Sequence, residues 1–116
     1  MHAARALSGA TDWQAIAVFY EALIQLAPSI GALVSRAAAL AEARDAETGW
    51  QTLQAIPADL VVRYQPYWAV AAHLLARLQR PDEARSAYCR AIELSRDPAQ
   101  RAFLAARAAL LPRSPA

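Results

Sequence analysis

Apolar positions recur at helical spacing through most of this chain, and the recurrence is cut by prolines and by short polar residues suited to capping helices. The stretch "DWQAIAVFYEALIQLA" holds that spacing until Pro28, whose ring cannot continue the backbone bonding. Thr11 and Gln14 stand at capping-box distance, so the first helix is predicted to begin near Asp12. Ser29 is placed to cap a second helix over 30–43, and Asp45 a third over 46–56 that Pro57 ends. Residues 57–64 read as a loop; the run Leu60-Val61-Val62 is the one strand candidate, and it is short and follows a proline. A fourth helix is expected over 66–79. Pro81 suits the first turn of a fifth over 81–95, because the N–H it lacks would have no partner there. Asp97 followed by Pro98 repeats the start signal for a sixth, ending before Pro112. The segment "HAARAL" at 2–7 forms helix readily but is too short to stand alone, and 112–116 is expected to fray. The reading is an all-α chain with one domain over 1–111.

The pattern also repeats on a longer scale. Ala15/Phe19/Ala22, Gly49/Leu53/Ile56 and Ala84/Tyr88/Ala91 each set residues at offsets of four and then three, which places them on one helical stripe. The stripes begin 34 and then 35 residues apart, a period that marks stacked helix pairs. Leu33 and Trp68 each stand sixteen residues before the second and third stripes, followed by Ala37 and Ala72, then Leu40 and Leu75. Trp68, Ala72 and Leu75 are expected to face Ala84, Tyr88 and Ala91 across an antiparallel pair, small residues admitting the partner and large ones filling the space beside them. Burial of Trp68 and Tyr88 is worth about 2–3 kcal/mol each by apolar area.

"YWAVAAHLLARLQRPDEARSAYCRAIEL" resembles a nearly whole tetratricopeptide repeat unit, and "DWQAIAVFYEALIQLAP" resembles the second helix of a unit whose first is truncated. The middle unit departs from the family at Arg36, where an apolar residue is preferred. The resemblance implies a right-handed solenoid of about six helices, with the last as a cap and with the first helix of each pair lining a concave groove. That groove would carry Val34, Ala38, Ala41 and Glu42 from one unit and Ala69, Val70, His73, Ala76 and Arg77 from the next. Surfaces of this kind hold peptides or neighbouring domains. Trp13 and Trp50 are expected to pack within or between units. Arg36 either pairs with Glu21, Glu42 or a helix C-terminus, or extends to solvent with its stem along Leu40.

Composition narrows the chemistry. All twelve basic residues are arginine and the net charge is only +2, so a stand-alone nucleic-acid binder is not indicated. Cys89 is the single cysteine, which excludes an intrachain disulfide and fits a reducing cytoplasm. It is expected in or near the core. The apolar stretches fall short of a membrane span, and residues 1–10 lack the apolar run of a secretory signal. His2 and His73 are the only histidines, and no metal-ligand spacing exists. Asp82 and Glu83 fall in the first turn of a helix, where they offset the backbone dipole. No catalytic residue, cofactor or metal is assigned, and the chain does not read as an enzyme.

A narrower resemblance lies in the order of "TDW", "ALIQLAPS", "RAAALAE", "YQPYWAVAAHLLARLQRPDEARSAYCRAIEL" and "RAFL". Together they resemble the C-terminal helical extension of extracytoplasmic-function RNA polymerase sigma factors, over almost the whole chain. Ser35 stands where that group favours Asn. The promoter-binding and polymerase-binding domains of such factors have no counterpart here. The resemblance implies a cytoplasmic regulatory module whose partner is a protein or peptide, such as the factor's own DNA-binding domains or RNA polymerase. A truncated first unit would also leave an apolar edge that a second copy could cover. A generic peptide-binding scaffold and a small-ligand sensor using the groove remain open alternatives.

Overall fold

The computed structural model describes residues 11–113, which form seven α-helices and no strand. The segment at 2–7 and the last three residues of the expected frayed tail lie outside the described residues. The helices are α1 (Trp13–Leu26), α2 (Ile30–Ala43), α3 (Ala46–Gln54), α4 (Ala58–Val61), α5 (Gln65–Arg77), α6 (Pro81–Leu94) and α7 (Pro98–Ala109).

Most starts follow from the caps. Ser29 Oγ accepts from Ala32 N at 3.1 Å, Asp45 Oδ1 from Thr48 N at 2.7 Å and Asp97 Oδ1 from Ala99 N at 3.0 Å. At α1 the cap is Asp12, which accepts from Ala15 N at 3.0 Å, and not Thr11. The bond from the Thr48 amide holds the Asp45 carboxyl below its ordinary range. At the end of α5, Arg80 N donates to Leu75 O and Gln79 N to Ala76 O, a Schellman closure. Gln79 takes the left-handed conformation usual for glycine there, with φ 61°. The chain thus reverses in a few residues and lays α6 back along α5.

Helix α4 corrects the loop expected over 57–64 and raises the expected six helices to seven. Val61 turns inward and is buried, while Leu60 and Val62 stay exposed. The segment is fastened at its end. Trp68 Nε1 donates to the carbonyls of Val61 and Val62 at 3.1 and 3.3 Å, and an Arg90 amino group donates to Val62 O at 2.9 Å. These donors satisfy carbonyls that a one-turn helix leaves open. Trp68 is accordingly half-buried at the rim of the core, with the Arg90 guanidinium 5.9 Å from its ring centre.

Consecutive long helices pack on one another: α1 on α2, α2 on α3, α5 on α6 and α6 on α7. Helix α5 also meets both α2 and α3. One continuous core results, holding Ala37, Leu53 and Ile56 from the first pair and Ala72, Leu75, Ala84, Tyr88 and Ala91 from the second, closed by Leu104 of α7. The second and third stripes are thus buried. The first is not: Ala15 and Ala22 are exposed and Phe19 is 60% exposed. Val18 and Leu26 stay exposed on the same helix, which covers α2 through small residues such as Ala17.

Burial corrects the expected place of Cys89 and narrows the alternatives open for Arg36. Cys89 is exposed although its neighbours Ala87 and Tyr88 are buried, because it sits on the outer face of α6. Arg36 Nε is buried and makes no hydrogen bond, and Glu42, one expected partner, pairs elsewhere.

Candidate functional site

Helices α2 and α5 lie side by side, and between them opens a cleft of about 480 Å³ lined by Trp13, Ala38, Glu42, Ala69, Val70, His73 and Leu74. The volume falls within the range of ligand and peptide pockets, about 300–1,000 Å³. Ala38 and Glu42 are one turn apart on α2; Ala69, Val70 and His73 share one side of α5. The small side chains of Ala38 and Ala69 leave the space open, and Trp13, at the start of α1, walls one side.

Five groove residues read from sequence therefore meet in one cleft: Ala38, Glu42, Ala69, Val70 and His73. Arg77 reaches its end instead of its wall, donating to Glu42 Oε2 at 2.8 Å. Val34 is a correction. It is only 3% exposed and belongs to the core, because it stands two turns before Ala41 on the face that α2 turns toward its packed neighbours. Ala41 is buried for the same reason. Ala38 and Glu42 are rotated from that line toward solvent. Sequence reasoning missed Trp13, which it placed in packing. The residue is 38% exposed. A groove lined by the first helix of each pair leaves out Trp13, which opens a second helix.

The electrostatics of the cleft are uneven. The Glu42–Arg77 pair is part-exposed on both sides, so it orders the rim more than it stabilises the fold, by about 0–1 kcal/mol. His73 is held below its ordinary pKa, first by burial, then by the positive charges of Arg77 and Arg107, against a smaller opposite pull from Glu42. The imidazole is therefore a neutral donor–acceptor near pH 7.

That depression has a measurable sign. The unfolded chain binds the His73 proton more readily than the folded one, so stability present above about pH 6.5 is lost as the pH falls through the lower folded value. The unfolding midpoint should drop between about pH 7.5 and about pH 5.5, and His73→Gln should flatten part of that drop. An unchanged slope in the variant removes His73 from the cause.

The other expected structural residues take core positions. Ala72, Ala84 and Ala91 are fully enclosed and Tyr88 nearly so, with Trp68 at the rim. Among the described residues, no group of His, Cys, Asp and Glu is placed to hold a metal ion, and no helix is long and apolar enough to cross a membrane.

These observations define an all-helical protein with an open, mostly apolar cleft between two neighbouring helices. The chain is similar to an uncharacterized protein of Rhizobium meliloti (strain 1021), with 30% identity over 104 residues, 90% of this chain and 24% of that protein. It thus spans about a quarter of that relative's length. No family model matches the chain, and no solved structure matches it significantly.

Proposed function

We propose that this chain is a regulatory protein-interaction module built as a stack of tetratricopeptide-like hairpins, of the kind that extends extracytoplasmic-function sigma factors at their C-terminus. Two hairpins, α2–α3 and α5–α6, repeat the same alternation of small and large residues, with α7 as the cap. The observation that carries the reading is the cleft between the first helices of those hairpins, α2 and α5. Its floor is apolar, its end carries a charged pair, and it holds no cluster suited to catalysis. A surface of that make-up takes an extended or helical peptide segment from a partner. The exposed stripe of α1 offers a second contact, for a neighbouring domain or another copy. With a net charge of +2, the module acts on transcription through proteins and not by touching promoter DNA.

The test is calorimetric titration of the full chain with the promoter- and polymerase-binding domains of an extracytoplasmic-function sigma factor, and separately with core RNA polymerase. Binding to one of them is expected. The double change His73→Glu and Arg77→Glu should weaken it at least about tenfold, since it sets three carboxylates where one was balanced. Helicity by circular dichroism should stay near the original, because the rim pair adds little stability. Unchanged affinity for a bound partner places the contact elsewhere. Capture of an unrelated peptide, with neither sigma domains nor polymerase bound, favours a general scaffold. A thermal shift with a metabolite alone favours a sensor.

A further inference from the structure

A second cavity, of about 370 Å³, opens on a different face of α2, between that helix and the end of α3 with the residues that follow it. Leu33, Ala55, Ile56 and Pro57 make its apolar walls; Arg36, Gln51 and Thr52 are its polar residues. Its polar groups are unequally committed. Thr52 Oγ1 donates to Thr48 O at 2.8 Å, and Gln51 Nε2 donates to Glu47 Oε2 at 3.0 Å. Arg36 is different: its Nε is closed off from solvent and makes no hydrogen bond.

An arginine carries five N–H donors and a fixed positive charge, and leaving even one of those donors enclosed without a partner is costly; Arg36 as a whole is half-buried, so only its Nε is shut off from water. Among the described residues it has no counter-charge. Glu42 is engaged by Arg77, Glu47 by Gln51, and Glu21 is exposed on α1 without an ion pair to Arg36. The cation therefore stands at the wall of a cavity with apolar sides and no internal anion.

We infer that this cavity is a binding site for a monocarboxylate with a short apolar body, held by the Arg36 guanidinium with its hydrocarbon part against Leu33, Ile56 and Pro57. A planar guanidinium matches a carboxylate through two parallel hydrogen bonds. One cation among aliphatic walls suits a single negative charge; a phosphate would call for further donors. The amide oxygen of Gln51 and the free lone pairs of Thr52 remain to accept from a polar group on the ligand. The same chemistry is presented by a free branched-chain acid and by the C-terminal end of a peptide finishing in leucine. The site is separate from the α2–α5 cleft and does not depend on the function proposed for it.

The test is an NMR titration of the full, isotope-labelled chain with isocaproate and with its uncharged amide, and in parallel with the tripeptide Ala-Ala-Leu and its C-terminal amide. Saturable shifts are expected at Arg36, Gln51 and Thr52 with the acids, and at least about tenfold weaker binding with each amide, the usual loss when a charged hydrogen bond goes. Arg36→Met should weaken acid binding about as much while leaving amide binding unchanged. That variant keeps the length of the side chain and removes an enclosed unpaired N–H, so it should fold at least as stably. Arg36→Lys keeps the charge without the fork and serves as a second variant, with intermediate affinity expected. Tighter binding of the tripeptide than of isocaproate identifies a chain end as the source; the reverse identifies a small acid. Equal binding of acid and amide, absence of a saturable shift at these residues, or full affinity in Arg36→Met overturns the inference.

Discussion

Tyr88→Ala is expected to lower the unfolding free energy by about 3–5 kcal/mol, the range for emptying a large aromatic site in a packed core. Tyr88 is 3% exposed, flanked one turn either side by Ala84 and Ala91, both fully enclosed, so its neighbours cannot fill the space. Against the roughly 5–15 kcal/mol total of a domain this size, that is a large fraction. Urea unfolding of the full chain, with helicity as the probe, measures it. The stronger form of the prediction is comparative. Phe19 holds the same place in the first stripe yet is 60% exposed, so Phe19→Ala should stay within about 1 kcal/mol of the original. Equal losses at the two positions would mean that α1 is covered as α6 is.

Gly49→Ala is expected to destabilise the protein by about 2 kcal/mol, against the sign that helix propensity alone assigns. Inside an isolated helix, alanine would gain about 1 kcal/mol over glycine. Here the added Cβ would meet Ala41 Cβ at 2.5 Å and the Ala37 carbonyl oxygen at 2.9 Å. Both belong to a helix that cannot yield without parting from α3, and overpacking of this kind costs about 1–3 kcal/mol, at the upper end where backbone is struck. The same urea titration decides it. A gain of about 1 kcal/mol in the variant would show that α2 and α3 do not approach so closely.

How much of this was legible in the chain depends on how local the signal is. Ser29, Asp45 and Asp97 announce helix starts because each cap bonds within three residues of itself, and sequence distance is then spatial distance. The stripes at Gly49 and Ala84 were legible because a helix turns offsets of four and three into one face. Helix α4 was not, since its anchors, Trp68 and Arg90, lie six to 28 residues from the carbonyls they bond and give 57–64 no local pattern of its own. In the cleft, Ala38, Glu42, Ala69, Val70 and His73 were found by assigning one face to each of two helices. Val34 failed because its place depends on how far α2 is rotated against its neighbours, a quantity two turns of periodicity do not resolve. Trp13 failed because it enters from a third helix. Arg36 stands out in the sequence as a charge on a packed face, yet whether it pairs depends on Glu42 being taken by Arg77, 35 residues from it.

The cleft depends on the two hairpins sharing one interior, since only their contact brings α2 beside α5. Amide hydrogen exchange in the original chain and in Gly49→Ala tests that contact most directly. With a shared core, the slowest amides of α2, α3, α5 and α6 open together, and a clash placed between α2 and α3 lowers protection in α5 and α6 by the same amount. Loss of protection confined to α2 and α3, with α5 and α6 untouched, would contradict it: the hairpins would then be independent bodies.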